Sequence, residues 1–366
     1  MRNLIGLVLL ILAPSLSSAL VVNETNVADV EARVQVAAMG DIIIHQAQYE
    51  KVINETEGFF YLFKRVAPVL LDSQIVYANL EGPTALGVTS DQKFIGDIGF
   101  RYDGLVYSGT NFRFNYHPSL ITDLQKIGVS VVSTANNHAL DRGSIGIDRT
   151  IETLVQNSLP FTGTAHTQQP TQPFAITEAN GIRIGWLACS EHLNGHSDHK
   201  NQVKLCNSQF WNSDFSKLKF ENRIDLLIVT PHWGEEYTHE PSANQKQNAR
   251  RAISNGADAV FGSHPHVVQP WEVVTTSSGR KGFVIYSLGN FVAGQAPLAR
   301  RTSLVLKLSV VRLKSGEVKI SDVNYTPLYR ALGTAQVFPL IGEKLIEEQK
   351  ASVRLLKRLL PENQNN

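Results

Sequence analysis

Asp, Asn, Glu and His fall in this chain where apolar runs end. Gly40-Asp41 follows the first such run, Asn79-Leu80-Glu81 closes the second, and Ala135-Asn136-Asn137-His138, with Asp141 and Gly143 beyond, follows the third. His232-Trp233-Gly234-Glu235 comes after an Ile-Asp-Leu-Leu-Ile-Val-Thr run, Gly262-Ser263-His264-Pro265-His266 after Ala259-Val260-Phe261, and Ser287-Leu288-Gly289-Asn290-Phe291 after the last. A lone Gly-Asp is usually a turn, and a lone His after a strand is usually a hydrogen-bonded loop residue. Six run ends carrying these types together make a donor set: a carboxylate able to bridge two cations, amide oxygens and several imidazoles. Mixed N/O donors suit Mn, Fe, Zn or Co at two adjacent positions better than calcium, which takes oxygen throughout. Two such ions ~3.5–4 Å apart would clamp a phosphoryl group and lower the pKa of a bound water.

The runs that carry these residues read as strands over 33–44, 74–80, 129–133, 182–188, 224–230, 259–262 and 282–287. Between them, 60–71, 118–127, 144–158 and 243–255 have helical apolar spacing. The alternation predicts an α/β fold, a sandwich with sheet at its centre, and such folds place their sites outside the carboxyl ends of strands. Two alternating runs, 302–313 and 318–325, joined by Lys314-Ser315-Gly316-Glu317, read as a hairpin. Residues 343–360 read as an amphipathic helix with apolar Leu345, Val353, Leu356 and Leu359. The Gly-rich stretch 82–116 has no clear period and reads as an insertion near the site. No Pro- or Gly-rich linker splits the chain, so 33–335 is expected as one domain, preceded by a linker at 20–32 and followed by a helix and tail at 336–366.

With 366 residues, 43% of them hydrophobic, the chain can bury a substantial core. Lys plus Arg total 34 against 33 Asp plus Glu, a formal net charge of +1 that argues against wholesale nucleic-acid binding. Met1-Arg2-Asn3, the apolar run 4–13 and the small-residue stretch 15–19 form the pattern of a secretory signal, with the cut expected after Ala19. Ten apolar residues span only about 15 Å as a helix, half a bilayer core, and no later stretch is long enough to cross a membrane. An exported protein, periplasmic or extracellular, makes Cys189 and Cys206 candidate disulfide partners. The loop between them holds His192, His196 and His199, but it is polar, lacks regular zinc spacing, and reads as a surface loop.

The set as a whole resembles the CapA family, bacterial poly-γ-glutamate capsule-synthesis proteins related to the calcineurin-like metallophosphoesterases. The resemblance is carried by Gly40-Asp41, Asn79-Leu80-Glu81, Ala135-Asn136-Asn137-His138 with Asp141 and Gly143, His232-Trp233-Gly234 with Glu236-Tyr237, Gly256-Ala257-Asp258, His264-Pro265-His266-Val267 and Tyr286-Ser287-Leu288-Gly289-Asn290-Phe291, in the family's order over about 34–293. It implies a four-layer αββα sandwich with a two-metal centre at one sheet edge. It would put Asp41, Glu81 and His266 on one metal and Asn137, His232 and His264 on the other, with Glu81 as the bridge. His138 would protonate the leaving oxygen. Asn136 and Asp141 would orient that loop, and Asn79, Glu236 and Asn290 would contact substrate or support the ligands.

Two departures bear on chemistry. The phosphoesterases carry a His two residues after the first Asp, where this chain has Ile43, and a Gly-Asp-x-x-Asp second motif where it has Asn79-Leu80-Glu81. The first metal position therefore has fewer ligands, and His45, four residues after Asp41, is not expected to replace the missing one. The leading expectation is an exported metal-dependent hydrolase of capsule or envelope polymer metabolism, acting on a phosphoester or an anionic polymer. The alternative is a non-catalytic component that holds a polyanion in a polymer synthesis or export complex with membrane-bound capsule synthesis proteins. A solute-binding protein is disfavoured, because two comparable lobes are not visible.

Overall fold

Alternate residues of one strand face different cores, and that division builds the layers. In Val30–Ile43, Val34, Val36 and Ala38 point into one cluster while Ala37 and Met39 point into another. Leu226–His232 divides the same way: Leu226 and Ile228 face inward, Leu227 and Val229 outward. The structure, a computed structural model, describes residues 19–110, 113–169, 174–342 and 344–360. The expected signal segment up to residue 18 lies outside the described residues.

Two sheets stack face to face. The first, of nine strands, runs in the order Leu20–Val21, Val318–Arg330, Thr302–Leu313, Val30–Ile43, Ile75–Leu80, Val131–Ser133, Phe161–Thr162. Asn290–Ala293 adds to the end of Val30–Ile43, and Val337–Pro339 pairs with Val318–Arg330. The second, of six, runs Val268–Thr275, Lys281–Leu288, Ala259–Phe261, Leu226–His232, Ile182–Ser190, Phe174–Ala179. Between the sheets, Tyr77 stacks on Trp186 with ring centroids 5.1 Å apart and planes within 1°. Outside the first sheet pack helices such as Gln46–Val52 and Ser119–Lys126, through Tyr49, Val52, Leu120 and Leu124. Outside the second pack Ser208–Trp211 and Ala243–Ser254, through Trp211, Ala249 and Ile253. The result is the expected four-layer αββα sandwich.

Several expectations change in detail. The helix expected over 60–71 is two short ones, Phe60–Phe63 and Ala67–Leu70. Pro68 has no N–H to donate to the carbonyl four residues earlier, so the turn cannot continue through it. The stretch 20–32, expected as a linker, begins with a strand: Leu20–Val21 pairs antiparallel with Val318–Arg330, and Leu20 and Val22 are buried. Two edge strands were not anticipated, Phe174–Ala179 and Val268–Thr275. The first turns into its partner at Asn180-Gly181, both with positive φ, which is the chemistry of a tight hairpin. The last helix, Glu347–Leu359, covers one edge of the inter-sheet core with Leu356 and Leu359. Among the described residues, no helix is long and apolar enough to cross a membrane.

Candidate metal centre

Parallel strands end together, and this places the polar residues in register. Asp41 stands opposite Asn79 on the neighbouring strand, and Asn79 opposite Ser133 on the next. In the second sheet His232 ends its strand beside Ser263. The two sheets are joined at this end by a close backbone crossing. A Cβ on Gly40 would lie 1.7 Å from the carbonyl oxygen of Gly289, so only glycine admits the approach. It lets Asp41 N donate to Gly289 O (3.0 Å) and sets Asn290 directly opposite Asp41.

The side chains converge in two groups that share one carboxylate. Ligand atoms of Asp41, Glu81 and His266 all lie within 4.8 Å of one another, and so do those of Glu81, His232 and His264. His266 Nδ1 is 3.1 Å from Asp41 Oδ2 and 3.0 Å from Asn290 Oδ1, while its Nε2 is 3.8 Å from Glu81 Oε1. His232 Nε2 is 3.6 Å from the same Glu81 oxygen, 2.9 Å from Asn137 Oδ1 and 3.1 Å from His264 Nδ1. Asn79 Nδ2 donates to Asp41 Oδ1 at 2.8 Å. His264 and His266 both take positive φ, 96° and 58°, a conformation that costs a non-glycine residue about 1–3 kcal/mol and that clusters at functional sites.

The electrostatics call for a cation. Glu81 is fully buried, and neither of its carboxylate oxygens accepts a hydrogen bond; Asn79 Oδ1 and Asn136 Oδ1 are also unpartnered. Burial raises the Glu81 pKa well above the usual carboxylate range, with His266 pulling the other way. Burial also opposes charge on His266, but Glu81 and Asp41 overcome it and raise that imidazole to about 9. His264 is held down to about 4, chiefly by burial, and burial keeps His232 well below its ordinary value. Orphaned carboxylate oxygens beside neutral imidazoles and an amide oxygen form a donor set that fits divalent ions of the borderline class.

The remaining expected residues surround these groups. His138 Nδ1 is 2.9 Å from Asp141 Oδ2, and the same carboxylate oxygen accepts from Phe114 N (2.8 Å), so Asp141 positions the imidazole and stays outside the two triads. Asn136 Nδ2 ties the loop to Leu80 O at 2.8 Å. Glu236, on the exposed rim, brings Oε1 to 4.0 Å from His266 Nε2. Ile43 is buried in the outer apolar layer. His45 is the N-cap of Gln46–Val52, and its Nδ1 accepts from Gly294 N (3.1 Å).

Two contributions escaped the sequence reading. Ser263 Oγ lies 3.0 Å from His232 Nδ1; its place beside His264 was the available signal. The loop expected at the surface is largely exposed and also borders the site. Cys189 and Cys206 are disulfide-bonded, and the segment between them brings Asn194 Oδ1 to 3.2 Å from Asn137 Nδ2, His196 Nε2 to 4.0 Å from Asp141 and the His192 ring to 5.5 Å from that of His264.

Two sequence relatives and a family model bear out the resemblance that the motifs carry. Capsule biosynthesis protein CapA of Bacillus anthracis is 29% identical over 290 residues, 78% of this chain and 65% of that protein, so the chain spans slightly less than two thirds of that relative's length. The PGA biosynthesis protein CapA of Bacillus subtilis strain 168 is 26% identical over 290 residues, 78% of this chain and 70% of that protein. Among solved structures, the NAD nucleotidase of Haemophilus influenzae superposes with a TM-score of 0.48 at 12% identity, covering 92% of this chain and 58% of that one. The 5'-nucleotidase of Candida albicans gives 0.42 at 9%, covering 89% and 56%. The model of the family described as bacterial capsule synthesis protein PGA_cap matches residues 35–295, which run from within Val30–Ile43 through every strand end described above, and the chain belongs to that family.

Proposed function

We propose that this protein is an exported metal-dependent hydrolase of capsule or envelope polymer metabolism, acting on a phosphoester or an anionic polymer such as poly-γ-glutamate. The observation that carries the reading is Glu81: a fully buried carboxylate with two unpartnered oxygens, shared by two triads of metal-ligating side chains. Export rests on the signal pattern of residues 1–19 together with the disulfide, which persists in oxidising compartments.

Divalent ions, two of them from among Mn, Fe, Zn or Co, held by Asp41, Glu81 and His266 and by Glu81, Asn137, His232 and His264, would polarise the scissile group and acidify a water. The chain supplies the rest. Asp141 fixes the His138 ring through Nδ1, and that imidazole is the group that would deliver a proton to the leaving group. Asn136 anchors the loop that carries both Asn137 and His138. Asn79 and Asn290 hold the Asp41 carboxylate and the His266 ring in their rotamers, as supports of metal ligands do.

The test joins two measurements on the chain from residue 20 onward. Elemental mass spectrometry of protein purified without chelator should find close to two transition-metal ions, and a phosphoester screen should find turnover. His138→Gln should lower that turnover by ~10²–10⁴-fold with the metal retained. His264→Ala should lose metal and turnover together; unchanged hydrolysis in either variant refutes the reading.

A second reading has its own observation. Ile43 turns into the apolar layer and His45 is engaged by Gly294, so among the described residues the Asp41 group has two ligating side chains of its own, Asp41 and His266, beside the shared Glu81. A site so built would grip an anion through a cation without hydrolysing it, as part of a complex with membrane-bound capsule synthesis proteins. Chelator-sensitive binding of poly-γ-glutamate with no ester cleaved would favour it.

A further inference from the structure

Two adjacent arginines beyond the last strand end have opposite fates. Arg301 is buried, and its guanidinium donates to Ala296 O (2.7 Å), Tyr329 Oη (2.7 Å) and Arg330 O (3.2 Å) and pairs with Glu348. It is a structural residue. The guanidinium of Arg300, half-buried, has no hydrogen-bond acceptor and no carboxylate partner among the described residues. Its Cζ lies instead 3.3 Å from the centroid of the Tyr237 ring. That ring stacks in turn on His266, centroids 6.0 Å apart and planes 30° apart. An unpaired cation therefore stands one aromatic ring away from the candidate metal ligands.

Its place is held firmly. Asn290, whose Oδ1 is 3.0 Å from His266 Nδ1, donates from Nδ2 to Arg300 O at 3.0 Å. Arg330 donates to Gln295 O (2.7 Å) and Arg301 to Ala296 O, so two buried arginines brace the segment that leads to Arg300. Stacking on a ring face leaves the edge of a guanidinium, with its paired N–H groups, open for bidentate contact with a carboxylate or phosphate. The rim on this side otherwise offers the Glu236 carboxylate, 4.0 Å from His266, which repels an anion. Arg300 is the charge that offsets it. It lies just beyond the 35–295 segment that matches the family.

We propose that Arg300, presented by Tyr237, grips an anionic group of the substrate beside the reacting one and makes the site selective for molecules that carry such a second carboxylate or phosphate. The inference rests on the reading of the metal centre as the substrate site. The test is isothermal titration of the manganese-loaded full chain with inorganic phosphate and with a short γ-glutamate oligomer, for wild type, Arg300→Ala, Arg300→Lys and Tyr237→Leu. Loss of a charged bidentate contact should weaken the oligomer by about 10-fold or more in Arg300→Ala. Arg300→Lys, a point charge without the fork, should recover only part, and Tyr237→Leu should fall between. A larger effect on the oligomer assigns the second group to a polycarboxylate; a larger effect on phosphate, which carries no second group, would mean that Arg300 grips the reacting anion itself and overturns the proposed selectivity. Affinity within twofold of wild type for both probes in Arg300→Ala, or no binding of either probe by wild type, overturns the proposal. Hydrolysis is scored separately: Arg300-dependent binding in a protein that cleaves nothing leaves this inference standing and removes the hydrolase, whereas turnover with Arg300-independent binding does the reverse.

Discussion

Glu81→Gln tests the centre at the one atom pair both triads share. The amide keeps the shape of the carboxylate and removes its charge. The Asp41 group then retains one anionic ligand, while the His232/His264 group retains none, since Asn137 and both imidazoles are neutral there. Residues that only support a ligand typically cost 10–100-fold in metal affinity, so the shared ligand itself should cost at least ~100-fold. At a free ion concentration of about 100 Kd, binding stabilises the wild type by ~2.7 kcal/mol per ion, whereas a hundredfold weaker site gains only ~0.4 kcal/mol. At about 2 °C per kcal/mol for a chain of this size, the shift in Tm on adding Mn2+ falls from about 5 °C per ion to about 1 °C. Differential scanning fluorimetry with chelator and with Mn2+, beside elemental analysis, reads both quantities. The metal-free variant should be no less stable than metal-free wild type, because it removes a buried carboxylate whose oxygens accept no hydrogen bond. The sign with pH is fixed too. Burial raises the Glu81 pKa in the folded state, so its contribution is present below the unfolded value and is lost as pH rises through the folded one. The variant therefore gains on wild type as pH rises. A Glu81→Gln protein that still carries two ions and shows the full Mn2+ shift would refute the reasoning.

Gly40→Ala places a Cβ 1.7 Å from Gly289 O and should destabilise the fold by about 3 kcal/mol or more, measured by denaturant unfolding; a loss under about 1 kcal/mol would mean the crossing is not tight. His45 is held down to about 4 by burial, so its stabilising contribution is complete above the ordinary imidazole value and is lost as pH falls from there through about 4. Comparing unfolding free energies at pH 7 and pH 4 in chelator, His45→Gln should lose about 1–3 kcal/mol less than wild type, the figure being discounted for partial exposure; equal losses would sink it. Replacing Cys189 and Cys206 by Ser opens a link between residues 17 apart and should cost ~3 kcal/mol. It should also speed amide exchange in the loop carrying His192, Asn194 and His196, and unchanged protection there would show that the disulfide does not hold the rim.

How much of this was legible in the sequence depends on what fixes each residue's position. Asp41, Asn79 and Glu81 follow from strand register: Asp41 and Asn79 are paired positions on neighbouring parallel strands, and Glu81 follows Asn79 by two residues, so period 2 alone puts them on one side. His232, His264 and His266 sit at or just past strand ends, where the fold class predicts a site. Those positions are set by local backbone and needed no tertiary knowledge. Asn290 is different. It reaches Asp41 only because Gly40 and Gly289 let two backbones touch, a contact between residues 249 apart that no local pattern announces. The rim is further still from local control. Tyr237 is placed by its backbone bond to Pro265 O, Arg300 by a hydrogen bond from Asn290 and by two buried arginines, and the loop of His192 by a disulfide. The edge strand Phe174–Ala179 is the opposite case, since Asn180-Gly181 carried a hairpin signal in plain sight. The division has a chemical consequence. Ligands set by strand register keep their geometry wherever the sandwich is kept, while residues set by loops and long-range bonds are free to differ between chains with the same metal centre. The determinants of substrate choice should therefore be sought at Arg300, Tyr237 and the 190–205 loop, and the determinants of metal binding at the strand ends.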